Sequence, residues 1–103
     1  MLYDQNRVVF KFTRQLHKAI AEPFGWTIPT DQPPLHVDVY SNDYRNELEV
    51  RAWFDVNRTN KRTRRTFIVV GTGKDVPLRA THCGTAISGR FVWHLFELPK
   101  DGD

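Results

Sequence analysis

At 103 residues, with one cysteine and thirteen aromatic side chains, the chain is too short for two ordinary domains, too aromatic for a disordered tract, and unable to close an internal disulfide. Its net charge of +3 comes from one segment: Arg58, Lys61, Arg62, Arg64 and Arg65 lie within eight residues, and the remainder holds 10 basic against 12 acidic groups. No apolar run approaches the roughly 18 residues that a membrane span needs, and MLYDQNRVVF lacks the order of a secretory signal, so a single cytoplasmic domain over 1–103 is expected.

Two-residue alternation, the mark of a half-buried strand, begins at once. Arg7 to Phe12 sets Val8, Phe10 and Phe12 against Arg7, Val9 and Lys11. Thr13 to Glu22 places Leu16, Ala19 and Ile20 at helical spacing ahead of Pro23. It has room for only about two to three turns and reads equally as a strand starting near Leu16. Thr27 to Pro34 holds three prolines, which cannot donate to a sheet ladder, and reads as a loop. Alternation returns over Leu35 to Tyr40, with Leu35, Val37 and Val39 on one side.

It is cleanest over Asn46 to Val56. Leu48, Val50, Ala52, Phe54 and Val56 make one face, and Glu47, Glu49, Arg51, Trp53 and Asp55 the other. A slip of one residue would turn the whole apolar face to water, so the register is firmly specified. Asn57 to Arg65 then reads as the tip of a long hairpin. In Arg65 to Val70 the run Phe67-Ile68-Val69-Val70 is apolar on both faces, which predicts a central strand covered on both sides. Leu78 to Ile87 and Arg90 to Leu98 read as two more strands joined by Ser88-Gly89, where glycine can take the positive φ of a tight hairpin. The tail from Pro99 is expected to fray. The fold class that results is mostly β, a small antiparallel sandwich or partly open barrel of about six to seven strands with at most one short helix.

The candidate motifs each have a plain alternative. The basic stretch NRTNKRTRR is either a solvated loop or a contact for an anionic surface such as nucleic acid or an acidic protein face. Gly71-Thr72-Gly73-Lys74 follows a strand as a phosphate-cradling loop would, yet Ile68 stands where the first glycine is required and Asp75 where Ser or Thr must follow the lysine. A simple turn is the better reading. His82, Cys83 and His94 lack metal-ligand spacing, and adjacent strand residues point to opposite faces unless a bulge intervenes; His94 reads as a hydrogen-bonded packing residue. Glu47, Glu49 and Asp55 share a face with Arg51 and read as a ladder of charge pairs, not as a catalytic pair. No catalytic residue, metal ligand or cofactor is assigned. Trp53, Trp26 and Tyr40 stand beside charges and are candidate contact anchors.

The order of pieces in the second half is Arg65 to Gly73, Pro77, His82-Cys83-Gly84-Thr85 and Phe91-Val92-Trp93-His94-Leu95-Phe96-Glu97. It resembles a family of small bacteriophage-encoded domains, common in phages of actinobacteria, with a strand ending in Gly-Thr-Gly and a terminal Val-aromatic-His-aliphatic-Phe-Glu strand. The resemblance covers residues 7–12 and 63–97; residues 13–62 depart from it, with the proline-rich loop and the basic tip as insertions. It implies an accessory protein that binds a host component, including one of host defence, or serves phage regulation or assembly. It carries no catalytic residues over.

The leading expectation is therefore a non-enzymatic binding module in the host cytoplasm that contacts a host or phage protein, or nucleic acid, through Arg58, Lys61, Arg62, Arg64 and Arg65 with Trp53 as anchor, and no membrane. A second is a nucleotide-capturing protein using backbone amides near Gly71 to Gly73 or Gly84. A third is a virion structural or assembly protein that oligomerises through an exposed strand edge.

Overall fold

Seven strands run through the computed structural model, which describes residues 7–18 and 20–100: β1 (Arg7–His17), β2 (Phe24–Ile28), β3 (His36–Asn42), β4 (Glu47–Asn57), β5 (Thr63–Gly71), β6 (Thr81–Ser88) and β7 (Phe91–Leu98). They form two antiparallel sheets, one of order β1-β4-β3 and one of order β2-β5-β7-β6, which pack face to face as a β-sandwich. The described residues contain no helix. The alternation in β4 explains the first sheet. Leu48, Val50, Ala52, Phe54 and Val56 are none of them more than 3% exposed, and each of the four larger side chains, fully buried, contributes about 1.5–3 kcal/mol.

The inner face of the second sheet is supplied by Phe24, Trp26 and Ile28 of β2, Phe67 and Val69 of β5, and Leu95 of β7. Ile68 and Val70 point the other way and are buried too, as the two-faced apolar run of β5 requires. The strand order supplies their cover. Because β7 lies between β5 and β6, those two strands run parallel, and residues 72–80 must return along the sheet to join them. They do so on its outer face, where Gly73, Lys74 and Val76 border a groove with Val70, His94 and Phe96.

Several elements differ from expectation for local physical reasons. Thr13 to Glu22 is neither a short helix nor a new strand near Leu16, because β1 stays in register with β4 as far as His17 opposite Glu47, and Lys18 N then donates to Asn46 O at 2.8 Å. Ala19 lies outside the described residues, as do residues 101–103, on which the expected fraying of the tail largely falls. The stretch from Thr27 is not all loop: β2 precedes and includes it, stopping only at Pro29. Leu78 is fully exposed and β6 begins three residues later; Leu35 is 60% exposed and just precedes β3.

The β6–β7 hairpin turns at Gly89 with φ of 61°, in the left-handed region where glycine is favoured. At the closed side of the sandwich β3 lies against β6 so closely that a Cβ on Gly84 would stand 2.6 Å from Val37 Cγ2.

Trp26, taken from the sequence as a possible exposed anchor, is a core residue at 7% exposure. Its ring centroid lies between 5.0 and 6.4 Å from those of Phe12, Phe24, Phe54 and Phe67, and Nε1 donates to Thr13 O at 3.1 Å. The indole thereby joins the free edge of β1 to the opposite sheet.

Candidate functional site

The basic segment is not a hairpin tip. β4 pairs with β1 and β3 while β5 pairs with β2 and β7, so residues 58–62 form an arch from one sheet to the other across the end of the sandwich. Its first half is braced by Asn57, whose Oδ1 accepts from Thr59 N at 3.0 Å and from Thr59 Oγ1 at 2.7 Å, while Asn57 O accepts from Asn60 N at 3.0 Å. Arg58, Lys61 and Arg62 are exposed on this arch. The Arg58 guanidinium lies 5.6 Å from the centre of the Phe10 ring. Among the described residues none of the three forms an ion pair with a carboxylate, whereas neighbouring Asp55 is engaged by Arg7 at 3.4 Å.

The other three residues expected to join them are placed elsewhere by strand alternation. Arg64 points to the outside of the second sheet, its guanidinium over Gly25. Trp53 is half-buried on the outside of the first sheet, in register with Lys11 and His36, its ring 5.3 Å from that of His36. Trp53 and Arg64 therefore face away from each other, and Trp53 stands about 17 Å along the chain from the first arch residue, Arg58.

Arg65 turns inward and is 5% exposed. Its Nε and Nη2 donate to the two Glu97 oxygens at 2.8 and 2.7 Å, and Nη1 donates to Thr30 O and Gln32 O at 2.9 and 3.0 Å. Its guanidinium carbon sits 5.3 and 5.4 Å from the Phe54 and Phe67 ring centres. The expectation that Arg65 contacts a partner is corrected here. A guanidinium with those partners is committed to holding the proline-rich loop onto the core.

A second cluster arises where the sequence offered only isolated residues. On the outside of the second sheet His82 Nε2 and Thr85 Oγ1 are 3.0 Å apart, Thr85 Oγ1 and His94 Nδ1 3.0 Å, and His94 Nε2 and Thr72 Oγ1 2.9 Å, with Thr72 Oγ1 also 3.4 Å from Val92 O. A β-bulge between His82 and Gly84 makes this possible. Cys83 is the extra residue, so His82 and Thr85, which a regular strand would send to opposite faces, share one. The bulge also turns Cys83 toward the core, where burial chiefly, with Glu97 nearby, pushes its thiol up to about 11 and leaves it a poor nucleophile at neutral pH. Among the described residues no three His, Cys, Asp or Glu side chains converge as metal ligands. The carboxylates of the first sheet are paired as a ladder: Glu49 and Asp38 with Arg51, and Asp55 with Arg7.

At the end opposite the arch the sheets part. β2 reaches only from Thr63 to Phe67 of its neighbour, so β5 continues to Gly71 with no strand on that side. A cleft of about 900 Å³ opens there, walled by Leu16, Leu48, Val69 and Trp93. Lys18 and Arg90 flank Phe91 at its mouth, 4.7 and 5.8 Å from the ring centre, and Lys18 is also paired with Asp43.

No curated protein and no solved structure matches this chain. Over residues 6–103, which span all seven strands of the sandwich just described, the chain matches the family described as Domain of unknown function (DUF7352), and it belongs to that family.

Proposed function

We propose that the protein is a non-enzymatic binding module that engages an anionic macromolecule through the arch between β4 and β5. The observation that carries this reading is the state of Arg58, Lys61 and Arg62: three exposed cations on a turn braced by Asn57, with no carboxylate partner among the described residues. Among the described residues Arg7, Lys18, Arg51 and Arg65 are paired in place and others such as Lys11 and Arg14 are not. Those stand singly along a strand, whereas the arch gathers three cations within five residues. Like charges gathered without counter-charges repel one another, and an anionic surface relieves that repulsion while releasing counterions. The likeness to small phage-encoded domains supports an accessory protein working in the host cytoplasm on a host or phage macromolecule, a component of host defence included.

The test is a salt titration of binding to single- and double-stranded oligonucleotides. Three neutralised phosphates on a duplex predict a log–log slope of about −2.7, and changing all three residues to Ser removes it. A slope that survives the triple change overturns the assignment to the arch. Absence of nucleic-acid binding, with capture of an acidic protein that the triple change abolishes, identifies the protein face as the partner.

A further inference from the structure

The Gly71–Lys74 turn and the histidines of the last two strands, unconnected in sequence, meet in the groove of about 500 Å³ between the 72–80 crossover and the outer face of the second sheet. The crossover contributes Lys74 and Thr72, β6 contributes His82, and β7 contributes His94 and Phe96; β5 contributes only Val70 and Gly71. Every charged or titratable group that lines it is Lys74, His82 or His94. No carboxylate does. Asp75 borders the interlayer cleft instead.

Hydrogen counting shows which nitrogen is available. If the Thr72 hydroxyl donates to Val92 O, it accepts from His94 Nε2; His94 Nδ1 then accepts from the Thr85 hydroxyl, whose oxygen accepts from His82 Nε2. Both nitrogens of His94 and one of His82 are thereby used. His82 Nδ1 is left without a partner among the described residues, on an exposed side chain, and it can take a proton without disturbing any bond in the chain. The protonated ring is fixed in orientation by Thr85 and by Phe96, whose ring packs edge-on to His82 at 5.1 Å. A positively charged donor held in place, beside a lysine and with no competing carboxylate, is a site for an oxyanion.

We infer that this groove binds a phosphate-type group between the imidazolium of His82 and the ammonium of Lys74, with the Thr72–His94–Thr85 chain orienting His82. The site lies on the outer face of the second sheet and does not depend on the arch.

The experiment is a thermal-shift and calorimetric titration of the whole chain with sulfate, inorganic phosphate, adenosine 5′-monophosphate and adenosine, at about pH 6 and about pH 8. Sulfate is included because its charge is constant over that interval, in which histidines lose their proton. Sulfate affinity is expected to be weaker at the higher pH. Lys74→Ala and His82→Gln, both at exposed positions, are expected to abolish binding and its pH dependence respectively, with Lys74→Ala leaving the unliganded melting temperature unchanged. Tighter binding of the monophosphate than of phosphate supports the site and extends its ligand along the Phe96 wall. Binding of adenosine as strong as that of its monophosphate overturns the proposal, as does absence of any shift with all four probes. So does sulfate binding that survives both variants but is lost when Arg58, Lys61 and Arg62 are changed to Ser, which would put the anion on the arch.

Discussion

Arg65 and Glu97 form a bidentate ion pair inside the sandwich, at 2.8 and 2.7 Å, with the arginine side chain 4% and the glutamate 28% exposed. An isolated guanidinium at that depth would be strongly destabilising, and the fold offsets its desolvation with the carboxylate, two loop carbonyls and two aromatic faces. Removing one partner of a buried pair leaves the other uncompensated. Glu97→Ala should therefore cost about 3–5 kcal/mol, measured by urea unfolding, because the more deeply buried charge is the one stranded. Replacing both, Arg65→Met with Glu97→Leu, should recover a substantial part of the loss. A cost below about 1 kcal/mol for Glu97→Ala would show the pair to be a solvated one.

Arg65 also shows how far the sequence could be read. Its neighbours Arg62 and Arg64 drew it into the basic cluster, but it shares two-residue parity with Phe67 and Val69, and that parity decides the matter. The alternation of β4 and the apolar runs of β5 and β7 were legible because each is a long uninterrupted pattern. β2 was not, since five residues with Gly25 inside and Pro29 just after give too little pattern to compete with turn signals. Alternation tells which face a residue takes, not which sheet its strand joins, so an arch between sheets and a hairpin tip look alike. The His82–Thr85–His94 chain was hidden for a different reason: the bulge at Cys83 reverses the parity that spacing implies.

Trp26 and Trp53 should separate cleanly on substitution. Trp26→Phe removes the donor to Thr13 O and part of the ring that touches four phenylalanines, and should cost about 2–3 kcal/mol. Trp53→Ala removes a half-buried ring from the outer face of the first sheet and should cost less, about 1 kcal/mol. Denaturant midpoints at unchanged slope are the measurement. Equal costs would mean that Trp53 is packed as a core residue.

Cys83 should react slowly in the folded protein. With its thiol pushed up to about 11, the thiolate is scarce at neutral pH, and the alkylation rate by iodoacetamide should climb about tenfold per pH unit well beyond the range in which an ordinary cysteine levels off. The linked stability follows in sign. The folded-state value lies above the ordinary 9.0, so the contribution is fully present below pH 9.0 and is lost as pH rises toward about 11. Comparing wild type with Cys83→Ala across that interval isolates it: the stability difference between the two should narrow as the pH is raised. An alkylation rate at pH 7 equal to that of a free cysteine would contradict the burial.

Gly84 tests the contact between the two sheets at their closed side. A methyl group there would meet Val37 Cγ2 at 2.6 Å and Val37 Cβ at 2.9 Å, and since Cβ is tied to the β3 backbone the strand itself must move. Gly84→Ala should destabilise by about 1–3 kcal/mol, the usual cost of overpacking. Gly73→Ala is the useful contrast: no atom lies within 4 Å of its Cβ position, but φ is 86°, so any cost there is backbone strain alone and should be about 1 kcal/mol. Relieving bulk on the β3 side with Val37→Ala should reduce the cost of Gly84→Ala and leave that of Gly73→Ala unchanged. A Gly84→Ala protein as stable as the wild type would mean that β3 and β6 sit farther apart than the side chains here require.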